Sequence, residues 1–130
     1  MLDPKISELL GNDRIADYYG MVVESVGEGH SRVSLELGER HLNGIGIPHG
    51  GVLFALADVA CALAACTRGP AVAASSSINF CKAVPSGKIY AEASEASLSR
   101  KLGTYQVLVS DGKGETIAVF SGMAYRRDRP

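Results

Sequence analysis

The chain has 130 residues, 46% of them hydrophobic and 21% charged, which fits one globular domain spanning 1–130 with its own core. Thirteen basic against 14 acidic residues leave a net charge of −1, so no strong field draws nucleic acid. The N-terminal Met1-Leu2-Asp3-Pro4-Lys5 lacks the charged-then-apolar pattern of a signal peptide, and the cytoplasm is the expected compartment.

Residues 3–11 predict a short helix. Asp3 is placed to cap it, Ile6, Leu9 and Leu10 share a face, and Gly11 stops it. Asn12 to Asp17 reads as a connector. Tyr19 to Val26 is β-rich, Gly27-Glu28-Gly29 is a turn, and Ser31 to Leu37 alternates. That alternation puts Val33, Leu35 and Leu37 inward and Arg32, Ser34 and Glu36 outward, and the two strands form a hairpin.

Gly38 to Pro48 is a loop feeding His49-Gly50-Gly51 and then an apolar run from Val52 to Cys66, broken only by Asp58. Ala and Leu dominate this run, so it predicts a helix buried nearly all round. It is too short for a membrane span of about 20 residues. Four strands follow, over Ala71 to Lys82, Lys88 to Ser99, Thr104 to Ser110 and Thr116 to Tyr125. A phase change near Ser94-Glu95 predicts a bulge. Both faces of the last strand are mostly apolar, one for the helix and one for another subunit. The layout is α+β: one antiparallel sheet curled round one long central helix.

Cys61, Cys66 and Cys81 show no metal-ligand spacing and read as small buried hydrophobes. No metal is expected. Asp58 is the anomaly, because a carboxylate removed from water is costly. It is either a structural Asp bonded to a nearby group, or a nucleophile or general base in a cleft. Gly50 and Gly51 leave bare N–H groups at a helix N-terminus, the chemistry of an oxyanion hole. Gly50 and Asp58 lie eight residues apart, about 12 Å along the axis. One copy cannot bring both to one atom. Two antiparallel copies can, which predicts a site shared between subunits. Asn43 is a turn residue or a group that orients water or a carbonyl. His49 backs up the loop or acts in catalysis. Ser76, on one strand face with Ile78 and Phe80, bonds backbone or assists Asp58.

His41-Leu42-Asn43-Gly44, His49-Gly50-Gly51, Leu53 to Asp58, Ser76 to Phe80 and Val119 to Ala124 together resemble the hotdog-fold thioesterases, in the phenylacetic-acid-degradation (PaaI-type) branch. The resemblance spans nearly the whole chain. It implies hydrolysis of an aryl-acetyl or medium-chain acyl-coenzyme A, with coenzyme A part of the substrate and no separate cofactor. It also implies a tetramer of two dimers with a site at each dimer interface. In those terms the Gly50 amide polarises the thioester carbonyl, and Asp58 of the facing chain attacks it or activates water. Asn43 orients water or carbonyl, His49 supports the loop, and Ser76 assists Asp58. Lys82, Arg100 and Lys101 are candidates for the coenzyme A phosphates by charge, or plain surface charge. Rival readings are a hotdog enoyl-CoA hydratase or dehydratase using His49 with Asp58, and a non-catalytic acyl-CoA-binding domain.

Overall fold

The computed structural model describes residues 4–127. In chain order these form α1 (Pro4–Gly11), α2 (Arg14–Tyr19), β1 (Val22–Gly27), β2 (His30–Leu37), a single 3-10 turn (Glu39–His41), α3 (Gly50–Cys66), β3 (Ala71–Phe80), β4 (Gly87–Leu98), β5 (Leu102–Ser110) and β6 (Thr116–Arg126). The six strands make one antiparallel sheet in the order β1-β2-β4-β5-β6-β3. The sheet packs across the 17-residue α3, as the α+β layout requires.

Side-chain size sets how close helix and sheet lie. Leu56, Ala57, Ala60 and Ala64 of α3 are fully buried, facing Val33, Leu35, Ile89, Ala91, Val107 and Phe120 of the strands. Gly122 sits where no side chain fits: a Cβ there would stand 2.9 Å from Cys61 Sγ. One further tie is polar. Ser31, fully buried, donates its hydroxyl to the Ala60 carbonyl at 2.5 Å.

Several expectations need correction. The stretch read as a connector, Asn12 to Asp17, opens α2, which also takes Tyr19 from the predicted strand. Asp13 accepts the Ala16 amide at 2.9 Å as its cap, and Gly20 closes it at φ 77°. Asp3 lies outside the described residues. In α1, Ile6 is buried but Leu9 is 42% exposed, because only one flank of this short helix meets the core. Ser34 is fully buried rather than outward, since it donates to Glu24 Oε2 beneath the β1 edge. Cys81 is exposed, as β3 ends one residue before it, whereas Cys61 is buried and burial pushes its thiol up to about 12.

The central helix is also not covered all round. Gly51 and Ala62 are exposed, and Ala55, Asp58 and Cys66 are half-buried. Spaced by three or four, these positions form one stripe that a single sheet cannot reach. Edge strand β3 is exposed along most of its length. The bulge is present: β4 slips register against β5 between Glu95 and Ser97. Among the described residues no helix is long and apolar enough to cross a membrane.

Candidate functional site

The loop before α3 is built by its own polar groups. His41 is buried. Its Nδ1 accepts the Gly38 amide at 2.8 Å and its Nε2 meets the Tyr19 carbonyl at 2.9 Å. A carbonyl only accepts, so Nε2 carries the proton and the ring is neutral. The His41 carbonyl takes the His49 amide at 2.8 Å, and Leu42 bridges Pro48. Inside that frame Asn43 closes the turn. Its Oδ1 accepts the Ile45 and Ile47 amides at 3.0 and 3.2 Å, and its own amide reaches the Ile47 carbonyl at 2.7 Å. Asn43 Nδ2 donates to nothing among the described residues. With Oδ1 occupied, what Asn43 has left to offer is a donor.

A helix leaves its first four N–H groups without intrahelical partners. At the start of α3, counted from its N-cap His49, three of them are satisfied. The His49 amide donates to the His41 carbonyl at 2.8 Å, the Gly51 amide to His49 Nδ1 at 3.0 Å, and the Val52 amide to the His49 carbonyl at 2.9 Å. The fourth, Gly50 N–H, has no acceptor among the described residues. Gly50 opens into a hollow of about 420 Å³, shared with Asn43, Ile47, Leu53, Phe80 and Ile117. One uncommitted donor, at the positive end of a long helix, thus belongs to a residue that lines a mostly apolar space.

Asp58 occupies a different place. It lines a small hollow of about 30 Å³ with Cys61, Ala62, Ser76 and Met123. Its carboxylate has no hydrogen bond or ion pair among the described residues. Burial raises its pKa from the ordinary Asp value, and the Asp13 carboxylate at the α2 cap adds to the rise. The structure thus brings Asn43 together with Gly50, and Asp58 together with Ser76, and keeps the two pairs apart. His49 belongs to neither. It borders a third hollow, of about 360 Å³, with Ile15, Tyr19, Arg40 and Ala55.

Strand β3 joins the two pairs like a ruler. Ser76, Ile78 and Phe80 register with Gly122, Phe120 and Ala118, all buried on the helix side. Four strand residues span about 13 Å, matching the roughly 12 Å between Gly50 and Asp58 on the helix. Running antiparallel to α3, the strand sets Ser76 beside Asp58 and Phe80 beside Gly50. Phe80 and Asp13 escaped the sequence reading as site neighbours. The shared face of Ser76 and Phe80 was the available signal for the first.

Of the three basic candidates, only Lys82 borders the Gly50 hollow, where it pairs with Glu115 and lies 4.0 Å from Asp111. Arg100 and Lys101 sit at the turn beyond Leu98, the far end of β4, about 36 Å along the strand from Gly87.

The thioesterase superfamily model matches residues 45–118. The acyl-coenzyme A thioesterase PaaI of Escherichia coli K12 is 32% identical over 117 residues, covering 88% of this chain and 84% of that protein. A mutant structure of the phenylacetic acid degradation protein PaaI from Thermus thermophilus is 39% identical. It superposes with a TM-score of 0.86, covering 88% of this chain and 100% of that one. The E. coli PaaI structure, from the phenylacetic acid degradation operon, is 30% identical with a TM-score of 0.90, covering 94% of this chain and 90% of the other. Sheet, helix and comparisons agree on a hotdog fold, and the chain belongs to the thioesterase superfamily, with PaaI-type proteins as its relatives.

Proposed function

We propose that this chain hydrolyses an aryl-acetyl or medium-chain acyl-CoA thioester at a site shared by two copies, which assemble as a tetramer of two such dimers. The observation that carries the reading is the unsatisfied Gly50 N–H at the start of α3, on a residue lining a mostly apolar hollow, in a helix that also bears Asp58, a carboxylate without a partner among the described residues. The thioester carbonyl accepts from Gly50 of one copy. Asp58 of the partner subunit supplies the nucleophile, as its own oxygen or as a water it deprotonates. Collapse of the tetrahedral adduct breaks the carbon–sulfur bond. With water as nucleophile the proton taken by Asp58 passes to the thiolate, and with Asp58 as nucleophile the acyl–Asp58 anhydride is then cleaved by a water that supplies that proton and frees the carboxylate. One water is consumed, and one acid and one thiol are released. Asn43 Nδ2 donates to the carbonyl or the water. Ser76, which lines the same hollow as Asp58, assists the carboxylate. His49 keeps the Gly51 amide occupied, so that Gly50 alone is presented.

The shared arrangement is supported by distance and exposure. About 12 Å separates Gly50 from Asp58 within one helix, while a reacting carbon must sit about 3 Å from both donor and nucleophile. The open stripe of α3 is made of small residues around Asp58, so a second helix can come close. The exposed edge of β3 offers unpaired backbone groups to a second copy.

Subunit mixing tests this. Gly50→Pro and Asp58→Asn chains are each made, shown to be folded, and co-refolded in equal amounts. Random pairing gives half mixed dimers, each with one intact site, so thiol release from acyl-CoA recovers to about a quarter of wild type. Demonstrated mixed dimers without recovery exclude the shared site. Hydration of an enoyl-CoA without thiol release establishes a hydratase instead, and binding of acyl-CoA without any turnover establishes a binding domain.

A further inference from the structure

Phe80 is a large apolar side chain left 55% exposed at the end of β3. Its distal ring edge rests on Gly50: a Cβ on Gly50 would stand 3.0 Å from Phe80 Cζ and 3.5 Å from each Cε. Phe80 lines the same hollow as Gly50, among Ile47, Leu53 and Ile117. Phe54 stands edge-on to the buried Phe120 at 5.3 Å, but no other aromatic ring stacks on Phe80 among the described residues.

We propose that Phe80 is a specificity-determining residue, a flat wall that selects aryl over straight-chain acyl groups. The inference rests on the reading that Gly50 N–H receives the thioester carbonyl. An oxygen within hydrogen-bond distance of that amide places the acyl carbons next to it within reach of the Phe80 ring. Aromatic rings gain from offset or edge-to-face contact beyond what area alone provides, about two- to tenfold in an equilibrium constant. A flexible alkyl chain gains only the area term and loses rotamer freedom on being held there. Small residues at position 50 are required for the ring to lie so close, which couples the donor and the wall in one piece of geometry.

The test compares kcat/KM for phenylacetyl-CoA and octanoyl-CoA, acyl groups of equal carbon count, in wild type, Phe80→Leu and Phe80→Ala. Phe80 is half outside the core of one chain but ends the strand that a second copy would meet, so the unfolding midpoint and elution volume of both variants are measured alongside, and Phe80→Leu keeps apolar bulk at that place. The expected result is a phenylacetyl-to-octanoyl ratio that falls about fivefold in Phe80→Leu, which keeps apolar bulk but no flat face, and about tenfold in Phe80→Ala. A ratio unchanged within twofold, or a parallel fall for both substrates, overturns the proposal while leaving the hydrolase reading intact. Wild-type protein that releases no thiol from either substrate overturns the hydrolase reading and this inference with it.

Discussion

His49 Nδ1 accepts the Gly51 amide at 3.0 Å, so the residue just before the helix shields one glycine amide and leaves its neighbour bare. An N-cap acceptor typically contributes about 1 kcal/mol. His49→Ala is expected to lose about that much in denaturant unfolding, and His49→Asn, which caps equally well, to restore it. If both variants unfold like wild type, the cap adds nothing.

Gly50 separates geometry from donor chemistry. His49 stands at φ −64°, ψ 135°, the extended backbone that a following proline needs, and Gly50 N–H bonds nothing within the fold. Gly50→Pro should therefore fold, with Phe80 tipping aside, yet lose about 10²–10³ in kcat as a missing oxyanion donor does. Gly50→Ala also displaces the ring but keeps the N–H, and should lose far less. Equal losses in the two variants would point to the ring, not the amide.

Asp58 carries a stability cost with a defined sign. Its pKa is raised in the fold, chiefly by burial and then by Asp13. A raised carboxyl binds its proton more tightly when folded, so its favourable contribution is complete at low pH and disappears as pH rises through the folded value. Asp58→Asn should thus be more stable than wild type at pH 7, with the gap closing below about pH 4, while thiol release collapses. Asp13→Asn keeps the α2 cap, because Asn caps as well as Asp, but removes the charge. Its pH–rate profile should show the acid limb displaced to lower pH.

Glu95 shows the opposite sign. Arg68 donates to it twice, at 3.0 and 3.2 Å, and the buried Tyr105 hydroxyl donates at 3.0 Å. The Arg68 hydrogen bond holds its carboxyl below the usual range, so its contribution is present at neutral pH and fades as pH falls through that lowered value. Glu95→Ala leaves the Tyr105 hydroxyl without that acceptor and should cost about 2 kcal/mol at pH 7. The loss should be smaller at pH 3, measured by urea unfolding.

The sequence made these elements readable to different degrees, for physical reasons. The Ala- and Leu-rich run names α3 because no strand tolerates such length without breaks, and alternation names β2 and the out-of-step Ala96 in β4. α2 escaped because six residues are too few to display a helical period, although Asp13 and Gly20 are its cap signals. Ser34 escaped because alternation assigns a face and not its cover, and here Glu24 lies over it. Within the site, Asn43, Gly50, Asp58 and Ser76 stood out by residue type. Their division into two pairs depends on the match between strand and helix lengths, a distance that no motif encodes.

That match has a bearing on how the chain tolerates length changes. Between Ala73 and Ser75 the β3 pairing with β6 already skips a residue. An insertion at this slack point can be taken up before Ser76, and both ends of the ruler keep their places. From Ser76 to Phe80 there is no such reserve. One residue added there turns alternate side chains to the opposite face and carries Phe80 off the glycine while Ser76 stays put. Deletions and insertions in an otherwise exposed strand should therefore divide sharply into harmless and fatal within the space of a few positions.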